Sequence, residues 1–127
     1  MASRTQRLKQ LLDLQERLKQ MHEMKRAGHL AAAAAADRDI AAVMARRTGD
    51  ESLSDLFPDV YARFVDRTLE RKRESERLSQ EEAGKIAAAK VRAGMLERAW
   101  RGELDIEERR QQEIAGLETV ERKLFGG

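Results

Sequence analysis

Apolar residues in the first third of the chain recur at spacings of three and four. Leu11, Leu14, Leu18 and Met21 form such a row, and Lys25 and Gly28 hold its next two positions. This spacing is the a/d seam of a coiled coil. An unbroken alanine run from Ala31 to Ala36 follows, after which Ile40, Val43 and Met44 restore larger groups. Alanine keeps a helix while thinning it, so a partner backbone can approach closely there. From Thr5 to Arg47 there is no Pro and the only Gly is Gly28, so one helix over about 5–47 is expected, roughly 65 Å long at the α-helical rise. Ser3 or Thr5 is placed to cap it.

Turn formers then gather from Thr48 to Phe57, with Gly49 suited to end a helix and the single proline, Pro58, suited to begin the next. The pattern thus predicts a tip at 48–57 and a second helix over about 58–124. The apolar positions of that helix start with Val60, Tyr61, Phe64 and Val65. They fade through Asp66 to Glu82, and return as Ala83, Ile86, Ala89, Ala93, Leu96, Trp100 and Leu104. Gly84, Gly94, Gly102 and Gly116 are candidate kinks, each costing about 1 kcal/mol relative to Ala.

A reversal at the tip makes the helices antiparallel. Ile40 and Val43 are then expected to face Phe64 and Tyr61, Leu18 to face Ile86 or Ala87, and Leu11 to face Ala93. The alanines oppose a weakly apolar stretch around Leu69 to Glu74, which makes that part of the stem thin. The fold expected is all-α, a single long antiparallel two-helix coiled-coil hairpin over residues 1–127 with the second helix longer and overhanging. Beyond about Trp100 the second helix has no mate in its own chain.

Composition narrows the picture. The chain has 127 residues, no Cys, 4% aromatic and 38% charged residues, and a net charge of only +2 because the signs alternate. Charge of this kind suits solvated helices, and turn signals are too few for an all-β domain. A disulfide scaffold and a thiolate zinc site are excluded. No run of apolar residues approaches the ~20 needed to cross a membrane, and no apolar signal core follows the N-terminus, which points to the cytoplasm.

Chemistry is sparse. His22 and His29, two turns apart beside the expected seam, have no third ligand at metal-site spacing, and no phosphate-cradling or nucleophile-elbow motif is present. Carboxylates mixed with Arg and Lys on open helices lack the burial that tunes acid and base groups. The expectation is a non-enzyme with no cofactor, metal or small-molecule substrate. Residues 1–47 carry ten Lys or Arg against five Asp or Glu, and Arg71-Lys72-Arg73 adds a basic run, but Glu70, Glu74 and Glu76 surround it, so nucleic acid is the weaker reading. The overhang differs. Glu103, Asp105, Glu107, Glu108, Glu113, Glu118 and Glu121 stand against Arg109 and Arg110, beside an apolar row of Ile114, Leu117, Val120 and Leu124. An acidic, amphipathic, unpaired helix suits helix-in-groove docking; closure of a homodimer or folding back at Gly102 are the alternatives. Leu53, Leu56 and Phe57 form a second apolar cluster at the tip.

The opening Arg7-Leu8-Lys9-Gln10-Leu11-Leu12-Asp13-Leu14 with Glu16, the late Trp100-Arg101, and a small, Cys-free, charge-rich hairpin with a longer second helix together resemble the FliJ family of flagellar type III export and its injectisome counterpart, the YscO family. The resemblance implies a non-enzymatic cytoplasmic stalk, chaperone-like, bound to a hexameric export ATPase, the cytoplasmic domain of the export gate and export chaperones, and reaching the membrane only through them. It implies that Arg4, Arg7 and the row Ile114, Leu117, Val120 and Leu124 face the ATPase ring, that Leu53, Leu56, Phe57 and Phe64 face the gate, and that Trp100 is a further partner-binding residue. The readings from other classes are a nucleic-acid- or ribosome-associated helical factor and a homo-oligomeric structural coiled coil.

Overall fold

The structure, a computed structural model, describes residues 2–47 and 57–126. The expected tip residues Leu53 and Leu56 lie outside them. Two helices account for nearly all of the described chain: α1, Arg4–Arg47, and α2, Pro58–Phe125. They pack against each other, with no strand among the described residues. Both run unbroken through their internal glycines.

Local chemistry sets the start of α1 and the end of α2. Ser3 and Gln6 form a capping box at the start of α1: the Gln6 amide donates to the Ser3 hydroxyl (3.1 Å), and the Ser3 amide donates to the Gln6 side-chain carbonyl (2.9 Å). At the far end of α2, Arg122 and Lys123 complement the helix dipole. The Gly126 amide donates to the Arg122 carbonyl at 2.8 Å. A Cβ on Gly126 would press against that carbonyl oxygen, so glycine is the residue this ending accommodates.

The chain divides into two compact units. One joins Met1–Leu18 to Ala89–Gly127 and the other is Lys19–Ala88. In the first, Arg4 pairs with Glu103 (3.1 Å), the Thr5 hydroxyl donates to Glu107 (2.6 Å), and the Lys9 ammonium lies 4.8 Å from the centre of the Trp100 ring. In the second, His22 meets Glu82 (2.5 Å), Asp37 meets Lys72 (2.9 Å) and Asp39 meets Arg71 (3.5 Å). Each series ascends on α1 as it descends on α2, so the pairing is antiparallel in both units, and its register agrees with the expected one to about a turn.

The face of α1 that is buried differs from the expected one by a single residue. An uninterrupted three-four repeat of covered residues runs through Thr5, Leu8, Leu12, Gln15, Lys19, His22, Arg26, His29, Ala33, Ala36, Ile40 and Val43, with Glu16, Leu18 and Ala35 half-buried beside it. Leu11, Leu14 and Met21 of the expected row are 47%, 49% and 40% exposed, whereas Leu12 is 7% exposed. The reason is phase. A seam must stay on one face for the whole helix, and the row through Leu11 arrives at Asp39, while the row through Leu12 arrives at Ile40 and Val43. Leu11, Leu14 and Met21 lose to continuity over the whole length, while Leu18 of the same row stays half-buried at the edge of the seam.

On α2 the matching repeat is Tyr61, Val65, Thr68, Lys72, Ser75, Ser79, Glu82, Ile86, Ala89, Ala93, Leu96, Trp100, Glu103 and Glu107, all buried or half-buried. Phe64, expected in the seam, sits one position off it and is 36% exposed. The apolar core is correspondingly slight: Leu12, Ala89 and Ala93 in the first unit; Ala33, Ala36 and Ile86 in the second. Small polar residues fill much of the rest. Thr68 and Ser79 are 1% and 2% exposed, and each hydroxyl donates to a carbonyl of its own helix, Phe64 (2.7 Å) and Glu76 (2.9 Å). Self-satisfied hydroxyls need no partner across the seam, so they can be buried without the usual desolvation cost.

Candidate functional site: the uncovered end of α2

Past Glu107, α2 has no counterpart among the described residues. Every described residue from Glu108 to Gly126 is exposed, and the first residues of α1, Arg4 and Thr5, lie against Glu103 and Glu107. Ile114, Leu117, Val120 and Leu124 are 55%, 70%, 52% and 70% exposed. Three of them are not scattered. Ile114, Leu117 and Leu124 continue the α2 repeat beyond Trp100, Glu103 and Glu107 without a change of phase, with Arg110 and Glu121 in the intervening positions. The face buried against α1 therefore runs on into solvent. Burying four such side chains yields on the order of 5 kcal/mol before ordering costs, enough to make a contiguous helical segment a docking element.

The segment is less acidic than its sequence suggested. Glu103 and Glu107 belong to the paired part, where they hold Arg4 and Thr5. From Glu108 to Gly126 the charges are balanced: Glu108, Glu113, Glu118 and Glu121 against Arg109, Arg110, Arg122 and Lys123.

The other expected site residues are distributed as follows. Arg4 pairs with Glu103 while its side chain stays 70% exposed, and Arg7 is exposed one turn further on. Trp100 is half-buried in the seam beneath the Lys9 ammonium, an attraction of ring quadrupole and cation. Phe57, 56% exposed, directly precedes α2, and Phe64, 36% exposed, lies in its second turn. Thus Arg4, Trp100 and the Ile114 row share the first unit, and Phe57 and Phe64 the second.

Two features were hidden from a reading of the sequence. One is the His22–Glu82 pair. His22, expected on the surface beside the seam, lies within it, its side chain 16% exposed, and Glu82 is 6% exposed. Burial pushes the Glu82 carboxyl up, but the His22 hydrogen bond together with Lys85 and Lys25 holds it below the usual carboxylate range. The spacing from His22 to the seam positions Leu8 and Leu12 carried the signal; the eye follows leucines instead. The other is a leftover surface. Leu11 and Leu14 of α1 and Met95 and Ile106 of α2, all in the first unit, are between 43% and 59% exposed.

The basic run has ordinary employment in the second unit: Lys72 is bonded to Asp37, which raises its pKa, and Arg71 to Asp39. No group of three His, Cys, Asp or Glu able to hold a metal ion occurs among the described residues, and no described helix is long and apolar enough to cross a membrane. Comparison of the chain with protein-family models, curated proteins and solved structures gave no match.

Proposed function

We propose that this chain is a non-enzymatic coiled-coil stalk of a type III protein export apparatus, docking through the uncovered end of α2 on a hexameric export ATPase. The observation that carries the docking element is the phase of Ile114, Leu117 and Leu124, which prolong a seam already used for helix packing. The export setting comes from the resemblance to the FliJ and YscO families. In that setting Arg4 and Arg7 border the ring-facing end, Phe57 and Phe64 lie toward the cytoplasmic domain of the export gate, and export chaperones are further partners in the cytoplasm. A stalk needs stiff helices, soluble sides and a sticky end; charged faces laced with ion pairs such as Arg77 with Glu74 and Glu81 supply the second requirement.

The test is a binding assay with the ATPase hexamer and a chain lacking residues 110–127. Loss of binding with retained helicity of the rest supports the proposal. Full affinity of the truncated chain would end it.

A further inference from the structure

We propose that the uncovered end of α2 also pairs with the same segment of a second copy of this chain, antiparallel and in one register. The inference goes beyond the stalk reading and does not rest on it.

Its first premise is length. α1 begins at Arg4, opposite Glu103 and Glu107, and α2 runs on to Phe125 with every residue from Glu108 exposed. The free segment is therefore 108–125, and two such segments overlap fully when the twofold axis crosses them near Gly116. The second premise is phase. In an antiparallel pair the a positions of one helix meet the d positions of the other, so the allowed registers lie one heptad apart. The allowed register nearest to full overlap has its axis between Ala115 and Gly116.

That register was fixed without reference to side-chain chemistry, and the chemistry fits it. Ile114 meets the partner's Leu117, and Leu117 the partner's Ile114. Arg110 meets the partner's Glu121, and Glu121 the partner's Arg110, so two apolar layers are flanked on each side by an ion pair. The outlying positions set Gln111 beside the partner's Glu118 and Glu113 beside the partner's Val120, and no like charges meet. Leu124 arrives at the level of the partner's Glu107, beside the first turn of the partner's α1, so the seam passes from one hairpin into the other. The neighbouring registers do worse. One heptad toward the C-terminus places Glu121 against the partner's Leu117 with no countercharge; one heptad the other way drives Glu121 and Leu124 to the levels of the partner's Glu103 and the partner's Trp100, where α1 already lies through Arg4 and Lys9. The balanced charge of the segment removes the net repulsion that would oppose such a contact.

Sedimentation of the full chain tests this, from low micromolar to on the order of 1 mM, the weakest affinity worth considering. The mass should rise from 14.5 kDa toward twice that value. Arg110→Glu alone and Glu121→Arg alone should each weaken association at least about tenfold, and both changes in one chain should restore it, because the opposed charges are simply exchanged. These residues are exposed in the single chain, so circular dichroism should be unchanged in all three variants. The chain has no cysteine, which allows a register test: an equal mixture of Ile114→Cys and Leu117→Cys chains, oxidised, should give the mixed disulfide well beyond the roughly twofold statistical excess over either self-linked product. A mass fixed at 14.5 kDa throughout, association indifferent to both charge reversals, or a mixed disulfide at no more than that statistical excess would overturn the proposal. None of these results bears on ring binding, which the truncation measures separately.

Discussion

Leu12→Ala and Leu11→Ala are neighbouring truncations of the same side chain, and they should differ clearly in cost. Leu12 is 7% exposed and Leu11 47%. Removing three buried carbons beyond Cβ forfeits about 0.8 kcal/mol each. Alanine returns a few tenths through its better helix propensity, which leaves about 2 kcal/mol for Leu12. Leu11 keeps only about half of that contact, so its loss is about 1 kcal/mol or less by the same rule. The cavity surcharge seen in closed cores does not apply, because a two-helix seam is open to solvent along both flanks. Urea titrations followed by circular dichroism would resolve the difference, and melting temperatures should separate by about 4 °C per kcal/mol. Equal losses, or a larger loss for Leu11→Ala, would refute the seam phase. They would return α1 to the row of Leu11, Leu14, Leu18 and Met21.

Other outcomes rest on the same geometry. Because the folded state holds the Glu82 carboxyl below its ordinary 4.5, the unfolded chain binds more protons in acid. Stability contributed by this group is therefore present above about pH 4.5 and lost as pH falls below it. Denaturant titrations across pH 3 to 6 should show the decline, and Glu82→Gln should flatten it. Ser3→Ala removes the cap of α1 and should cost about 1 kcal/mol, seen as faster amide exchange in the first turn. Lys9→Ala uncovers one face of Trp100, the chain's single tryptophan, and should shift its emission to the red with a stability loss of about 0.5–1 kcal/mol; unchanged emission would contradict that contact.

Helix content and pairing direction were legible because both rest on local chemistry. The absence of Pro and the scarcity of Gly from Thr5 to Arg47 dictate α1, and Pro58 is suited to the first turn of α2, where it is found. The phase of α1 was not, because it is a property of the whole helix. Its seam passes through Gln15, Lys19, His22, Arg26 and His29, and no apolar pattern betrays residues that are buried through their partners or their stems. Only two clues pointed to it. Ile40 and Val43 are in step with Leu12 and out of step with Leu11, and the α2 seam offers Glu82 at the level where His22 arrives. Ile114, Leu117 and Leu124 could be read from sequence because they are large and periodic. The apparent acidity of the same region could not be apportioned, since Arg4 and Thr5 claim Glu103 and Glu107 only once the two helices are aligned.

Hydrogen exchange along α2, followed by mass spectrometry on dilute chain so that any second copy is absent, is the most direct test of where its partner ends. A helix segment without tertiary support opens readily, whereas one backed by a seam exchanges only through larger openings. Slow exchange from Tyr61 to Glu107, giving way within about one turn to rapid exchange through Phe125, is expected. Protection that continues undiminished to Phe125 in the dilute single chain would contradict an uncovered end.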